Sequence, residues 1–215
     1  MIIVAVDGPA GAGKGTIACA IAKQLSFDHI DTGTYYRALA LLCLRNDVNM
    51  NRLDEILKKG ESLDRSILKS SDLRQEEVAQ WASRIAVYPE VRQLLTRLIR
   101  KHAYESPYKG VVLDGRDVGS HIFPEAPCKL FITASCEERA QRRFLELKDK
   151  GAAFSYEDVL KEIQERDFRD INRAVDPLRP CENAFILDTS NLTIDESVKN
   201  ASNFILKCYD RERVA

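Results

Sequence analysis

The sequence predicts an α/β protein built on a parallel sheet, and three observations carry that expectation. An unbroken apolar run with several β-branched residues opens the chain at residues 2–6 and meets a glycine-rich turn followed by a helical pattern. Further short apolar runs recur at residues 111–114, 129–133 and 184–188, each separated by helical stretches or loops. The composition is that of a globular chain: of 215 residues, 45% are apolar and 30% charged, with 10 Gly and 7 Pro, which excludes disorder and predicts a sizeable core.

Charge and cysteine usage narrow the class. Lys plus Arg number 32 against 33 Asp plus Glu, a formal charge of −1, so neither a general attraction to polyanions nor a long basic nucleic-acid groove is expected. Cys19, Cys43, Cys128, Cys136, Cys181 and Cys208 lie far apart with no C-x-x-C pair, which reads as buried thiols in a reducing compartment rather than metal ligands. The longest apolar run, residues 38–44, is too short to cross a bilayer. The amino terminus has no basic segment and runs straight into a motif, so a signal peptide is not expected and a cytoplasmic location is.

Each element has a local reason. Residues 2–6 read as a strand buried on both faces, which Gly8 ends. Residues 16–25 read as a helix with Ile17, Ala18, Ile21, Ala22 and Leu25 at helical spacing. The apolar patch at 27–30, followed by Asp31-Thr32-Gly33 and the helix containing Tyr35, Tyr36 and Arg37, forms a second strand-to-helix junction. Residues 49–74, rich in charge and serine with weak periodicity, read as a small insertion of short elements. In the helix over 75–87, Val78, Trp81 and Ile85 share a core-facing side, and a further helix starts at Pro89. Ser135 with Glu138, Ser155 with Asp158 and Thr193 with Glu196 fit the S/T-x-x-[DE] capping pattern and mark three helix starts. The first two define a helical hairpin, 135–150 and 155–172, turning over a short segment that contains Gly151. The expected organisation is one domain over 1–215: a core of 1–48, 75–134 and 174–215, the insertion 49–74, and the hairpin 135–173.

Gly8-Pro9-Ala10-Gly11-Ala12-Gly13-Lys14-Gly15-Thr16 carries the most chemistry. Phosphate oxygens need several convergent donors and close backbone approach, which glycine permits, and four of these nine residues are glycine. The helix that follows aims its positive end at the same spot, while Lys14 can reach the β and γ phosphates. The spacing fits the general P-loop, but Gly15 holds the usual Ser/Thr position and the hydroxyl comes one residue later at Thr16. A water-mediated role of Thr16 toward Mg²⁺, or a phosphate contact, is therefore expected rather than a direct bond to the metal. Asp114 ends an apolar strand in the manner of a Walker B carboxylate, which holds Mg²⁺ or its water shell, or else it starts a turn before Gly115.

Other residues keep two readings. Asp31 and Thr32 either meet a second substrate or cap the helix, and the two roles are compatible. Arg37, just before the apolar run 38–44, needs solvent or an anionic partner. Arg116 and Asp117 lie on a loop at the sheet edge, as ligand contacts or as a salt bridge. Arg139, Arg142 and Arg143 share a helix face. Glu162, Arg166, Asp170 and Arg173 form an alternating-sign stripe spanning about 80° of helix surface. Such a stripe alone is a solvated ion-pair ladder, but beside a phosphate loop it supplies the cations that phosphoryl transfer needs. Ser83 projects away from the Trp81 face, and Arg92, near a helix N-terminus, has no dipole reason to be there unless an anion binds.

Four stretches resemble the bacterial-type cytidylate kinases among the nucleoside monophosphate kinases: residues 7–16 (DGPAGAGKGT), 31–37 (DTGTYYR), 114–119 (DGRDVG) and 165–174 (ERDFRDINRA). The first is shared by many monophosphate kinases; the last two, in this order and spacing, are much more selective. The resemblance implies a three-layer P-loop kinase fold with a lid hairpin and a monophosphate-binding insertion. It also implies transfer of the ATP γ-phosphoryl group to CMP or dCMP with Mg²⁺. Carried onto matching positions, Thr32, Arg92, Arg116, Asp170 and Arg173 look like monophosphate or ribose contacts, with Arg37 also on the substrate side. Ser83, Asp117 and Arg166 look like cytosine-side contacts. Arg142 resembles a lid arginine and, with Lys14, Arg139 and Asp114, completes the expected catalytic set. A monomer without nucleic-acid or membrane partners is expected. The rivals are a kinase for another small acceptor, such as shikimate or another nucleoside monophosphate, and a nucleotide-binding regulatory ATPase. The segment 49–74 departs from the family pattern in being short and without clear paired strands, which bears on the choice among CMP, dCMP and UMP.

Overall fold

The structure, a computed structural model, describes residues 1–149 and 154–214. In chain order its elements are β1 (Ile2–Asp7), α1 (Lys14–Leu25), β2 (Asp28–Asp31), α2 (Thr32–Arg45), α3 (Leu53–Glu61), α4 (Glu76–Ile85), α5 (Pro89–Tyr104), β3 (Gly110–Gly115), β4 (Cys128–Thr133), α6 (Cys136–Asp149), α7 (Tyr156–Asn172), β5 (Phe185–Asp188) and α8 (Ile194–Val214). The five strands form one sheet in the order β2-β3-β1-β4-β5. β1 pairs in parallel with both β3 and β4, and β4 with β5, so the expected parallel α/β sheet is present.

The chain divides into two compact units, residues 1–29 with 107–215, and residues 30–106. In the first, Val4, Val6, Val112, Leu130 and Ile132 line one sheet face and pack on Ile17 and Ile21 of α1 and Ala201 and Ile205 of α8. Ile3, Ala5, Val111 and Leu113, which alternate to the opposite face, are buried as well. Continuous apolar strands therefore read correctly as strands covered on both sides. The hairpin α6/α7 has a small core of its own: Ala140, Val159 and Ile163 pack with Phe144 and Tyr156, whose rings meet edge to face at 6.3 Å.

In the second unit α2 packs on α4 and α3 on α5. Val78, Trp81 and Ile85 are buried, as their spacing predicts, together with Leu39, Ile56, Leu95 and Ile99. Residues 49–74 hold one true helix, α3, and two short 3₁₀ helices, Arg65–Lys69 and Ser71–Arg74, started by Asp64 and Ser70 side chains that accept backbone N–H groups. No strand occurs in this segment.

Element boundaries shift where caps act. α1 begins at Lys14, two residues before the expected start, because Gly13 takes a left-handed conformation (φ 81°) and serves as the N-cap. β2 begins at Asp28 because the Phe27 N–H bonds back to Ala22 O and closes the end of α1. The full capping box at Ser155/Asp158 and the reciprocal Thr193/Glu196 bonds are present, and Ser135 accepts the Glu138 N–H. Of the expected hairpin turn, residues 150–153 lie outside the described residues.

Candidate active site

The phosphate loop leaves the end of β1 at Gly8, whose φ is 149° and where a Cβ would stand 1.9 Å from Ile132 O. Only glycine lets the loop pass that close to β4. The first helical bond of α1 runs from Ile17 N–H to Gly13 O at 3.0 Å, so the amides of Gly15 and Thr16 precede the helical ladder and face the loop with the positive end of the helix. Lys14 is buried at 7% exposure and its Nζ donates to Pro9 O at 2.9 Å, which fastens the cation to the loop. Thr16 is exposed.

Asp114, the penultimate residue of β3, is buried, and its Oδ2 stands 3.6 Å from where a Cβ on Gly15 would lie. The strand-end carboxylate thus faces the first turn of α1 with no side chain at position 15 between them. A hard oxygen donor facing phosphate-binding amides fits Mg²⁺, which keeps several waters and takes only one or two carboxylates beside phosphate oxygens. The Asp114 Oδ1 lies 2.7 Å from His29 Nε2, a partner the sequence reading missed. His29 sits between Asp28 and Ile30 in a four-residue strand, too short for its alternation to stand out.

Two ion pairs join the loop after β3 to the last turn of α7. Arg116 Nε donates to Asp170 Oδ2 at 2.9 Å, and Arg173 Nη2 lies 3.6 Å from Asp117 Oδ1. Burial pushes the Asp170 carboxyl toward its neutral form, but the guanidiniums of Arg116, Arg166 and Arg173 outweigh it and hold it below the usual carboxylate range. The stripe on α7 is therefore half-buried charge turned toward the sheet end, and Arg166 shares its field.

Two arginines of α6, Arg139 and Arg142, are committed to the same sheet end. Arg139, 6% exposed, donates from Nε to Ala134 O (2.9 Å) and from Nη1 to Ala10 O (3.1 Å), and its Nη2 lies 2.7 Å from Asp167 Oδ2. One side chain thus joins the phosphate loop, the end of β4 and α7. Arg142 donates to Thr189 O (2.7 Å) and Thr189 Oγ1 (3.0 Å) and pairs with Glu138 at 3.0 Å. Thr189 Oγ1 in turn lies 3.3 Å from Ala12 O. Thr189 was not singled out from the sequence, although its place just after the apolar run 184–188 was a signal, because the carboxyl ends of parallel strands border ligand crevices. Arg143 pairs with Glu146 on α6 itself.

The remaining candidates lie in the second unit. Asp31 caps α2 by accepting the Thr34 N–H at 3.2 Å and pairs with Arg37 at 2.5 Å, which answers the charge of Arg37 locally; Arg37 also donates to Thr34 Oγ1. Thr32 is buried in the first turn of α2, and Ser83 is half-buried on α4. Arg92, in the first turns of α5, is 2% exposed and donates to Ala86 O at 3.5 Å. A guanidinium buried near the positive end of a helix is costly, and an anion beside it would offset that cost.

As a class, a parallel sheet whose first strand feeds a phosphate loop, with a carboxylate closing the neighbouring strand, is a P-loop nucleotide-binding fold, the frame on which P-loop kinases are built. Among solved structures, a Thermus thermophilus protein matches with a TM-score of 0.52 at 20% identity over 96% of each chain. The shikimate kinase of Bacteroides thetaiotaomicron matches with a TM-score of 0.50 at 14% identity over 95% of this chain and 98% of that one. At such identities these show the fold alone. A family model described as cytidylate kinase matches residues 4–207. Cytidylate kinases of Vibrio cholerae and Pasteurella multocida are 44% and 40% identical, covering 94% and 97% of this chain and 95% and 97% of those proteins. The chain belongs to the cytidylate kinase family.

Proposed function

We propose that the protein transfers the γ-phosphoryl group of ATP to the phosphate of CMP or dCMP, yielding ADP and CDP or dCDP. The observation that carries this reading is the Asp114–Asp117 loop, ion-paired to α7, on the strand next to the one that feeds the phosphate loop.

The loop amides and the positive end of α1 bind and orient the donor phosphates, and Lys14 contributes a charge that follows the transferred group. Asp114 and Thr16, both through water, would hold Mg²⁺, which when bound neutralises charge on the phosphate oxygens. Arg142 is assigned to the transferred phosphoryl group. Arg139 acts by holding the Ala10 carbonyl away from the phosphate side and keeping its own charge near the loop. Thr32, Arg37, Arg92, Arg116, Asp170 and Arg173 are assigned to the acceptor's phosphate and ribose, and Ser83, Asp117 and Arg166 to its base. The acceptor phosphate is already anionic near neutral pH, so no strong protein base is required and catalysis is alignment plus charge stabilisation. The 215 residues act as one kinase domain, with 135–173 as lid and 49–74 as a short acceptor-side insertion, in the cytoplasm. The six free thiols agree with a reducing compartment.

The test is ADP release with CMP, dCMP, UMP, AMP and shikimate as acceptors. CMP and dCMP are expected to give the highest kcat/KM; equal turnover with all five, or turnover indifferent to any acceptor, would overturn the assignment.

A further inference from the structure

Asp7, the last residue of β1, is 4% exposed and has no place in the chemistry above. Its Oδ1 accepts the Val118 N–H at 2.7 Å and its Oδ2 the Gly119 N–H at 2.8 Å. The residue after it, Gly8, begins the phosphate loop; the residues just before its two donors are Arg116 and Asp117. One carboxylate therefore anchors both loops at the end of the sheet.

We propose that Asp7 is a positioning residue that sets the acceptor-side loop, and with it Asp117 and Arg116, in register with the phosphate loop. This rests on the reading of Asp117 and Arg116 as acceptor contacts. Only a side chain of this length with two acceptor oxygens satisfies both amides; an asparagine can accept one and turns its own NH₂ toward the other. The turn so held is tightly built: His121 N–H and Ile122 N–H both bond to Asp117 O, at 2.9 and 3.1 Å. A carboxylate is an expensive anchor at this depth. Burial pushes Asp7 up to about 6, with the two amides and Lys14 pulling it down and Asp117 adding to the rise. Cys181 and Lys129 stand around the same turn, each 3.3 Å from where a Cβ on Gly119 would lie. A strand end needing only to be buried would be served better by an apolar residue.

The test is steady-state kinetics on Asp7→Asn, Asp117→Asn and the double variant, with thermal melts to establish folding. Asp7→Asn is expected to raise the KM for CMP about tenfold while the KM for ATP stays within about twofold, and the double variant to be no worse than the worse single one. Asp7→Glu, which keeps charge and both acceptors but displaces them by one methylene, is expected to show the same split and decides the matter if Asp7→Asn does not fold. A purely structural role predicts a lowered melting temperature with both KM values unchanged or raised together, and that result overturns the inference. Effects of Asp7→Asn and Asp117→Asn that multiply overturn it alone. An unchanged KM for CMP in Asp117→Asn removes the reading beneath it, and both fall.

Discussion

Lys14 shows how a single residue divides between fold and chemistry. Its ammonium donates to Pro9 O, and Lys14→Met, which keeps the stem packed, is expected to remove about 2 kcal/mol of stability. If Lys14 has its proposed role at the transferred phosphate, the same change is expected to lower kcat by about two to three orders of magnitude. Near-normal turnover in a folded variant would refute the role. Asp7 carries a second residue-scale prediction, this one about stability. Its carboxyl titrates at about 6 when folded against 3.8 in its ordinary state. Between those values the folded chain keeps a proton that the unfolded chain has released, so this group's contribution to stability falls as pH rises through that window and returns as pH falls. Two units correspond to about 3 kcal/mol. Urea unfolding of the unaltered protein and Asp7→Asn is expected to show their stability gap moving by up to about 3 kcal/mol in favour of the unaltered protein from about pH 7 to about pH 4. A gap independent of pH would mean Asp7 titrates normally.

At the scale of elements, the α6/α7 hairpin combines a small core of its own with ion pairs to the sheet end. A simple ladder along α7 would be solvated, and each pair would contribute only a few tenths of a kcal/mol. Instead Asp170 meets Arg116 across 54 residues of sequence, and its charged form is held by three guanidiniums. Arg166→Ala is therefore expected to raise the KM for CMP about tenfold with little change in the KM for ATP; equal loss of both would mark a structural ladder. The hairpin was legible because its capping residues are local: Ser155 and Asp158 lie three positions apart and form the box their spacing predicts. The partners of its arginines were not, since helical spacing places Arg139 and Arg142 on one face without saying that Ala10 O and Thr189 wait there.

For the whole molecule, the formal charge is −1, and no helix among the described residues is long and apolar enough to cross a membrane. Sedimentation velocity is expected to give a monomer of about the 24.3 kDa chain mass, and a stable dimer would contradict that. The family match covers residues 4–207, a range that contains the phosphate loop, the loop after β3 and the α6/α7 hairpin.

Strands, the phosphate loop and helix starts are written in neighbouring residues: β-branched apolar runs, glycines where φ must be positive or the backbone must pass within contact of another strand, and caps at fixed offsets. Such features depend on interactions a few residues long, so spacing alone revealed them. Asp7 on Val118 and Gly119, His29 on Asp114, and Arg139 on Ala10 and Asp167 depend on which strands lie side by side and in what register. That choice belongs to the packed sheet, because burial of charged and polar groups is tolerated only where the tertiary structure delivers their partners.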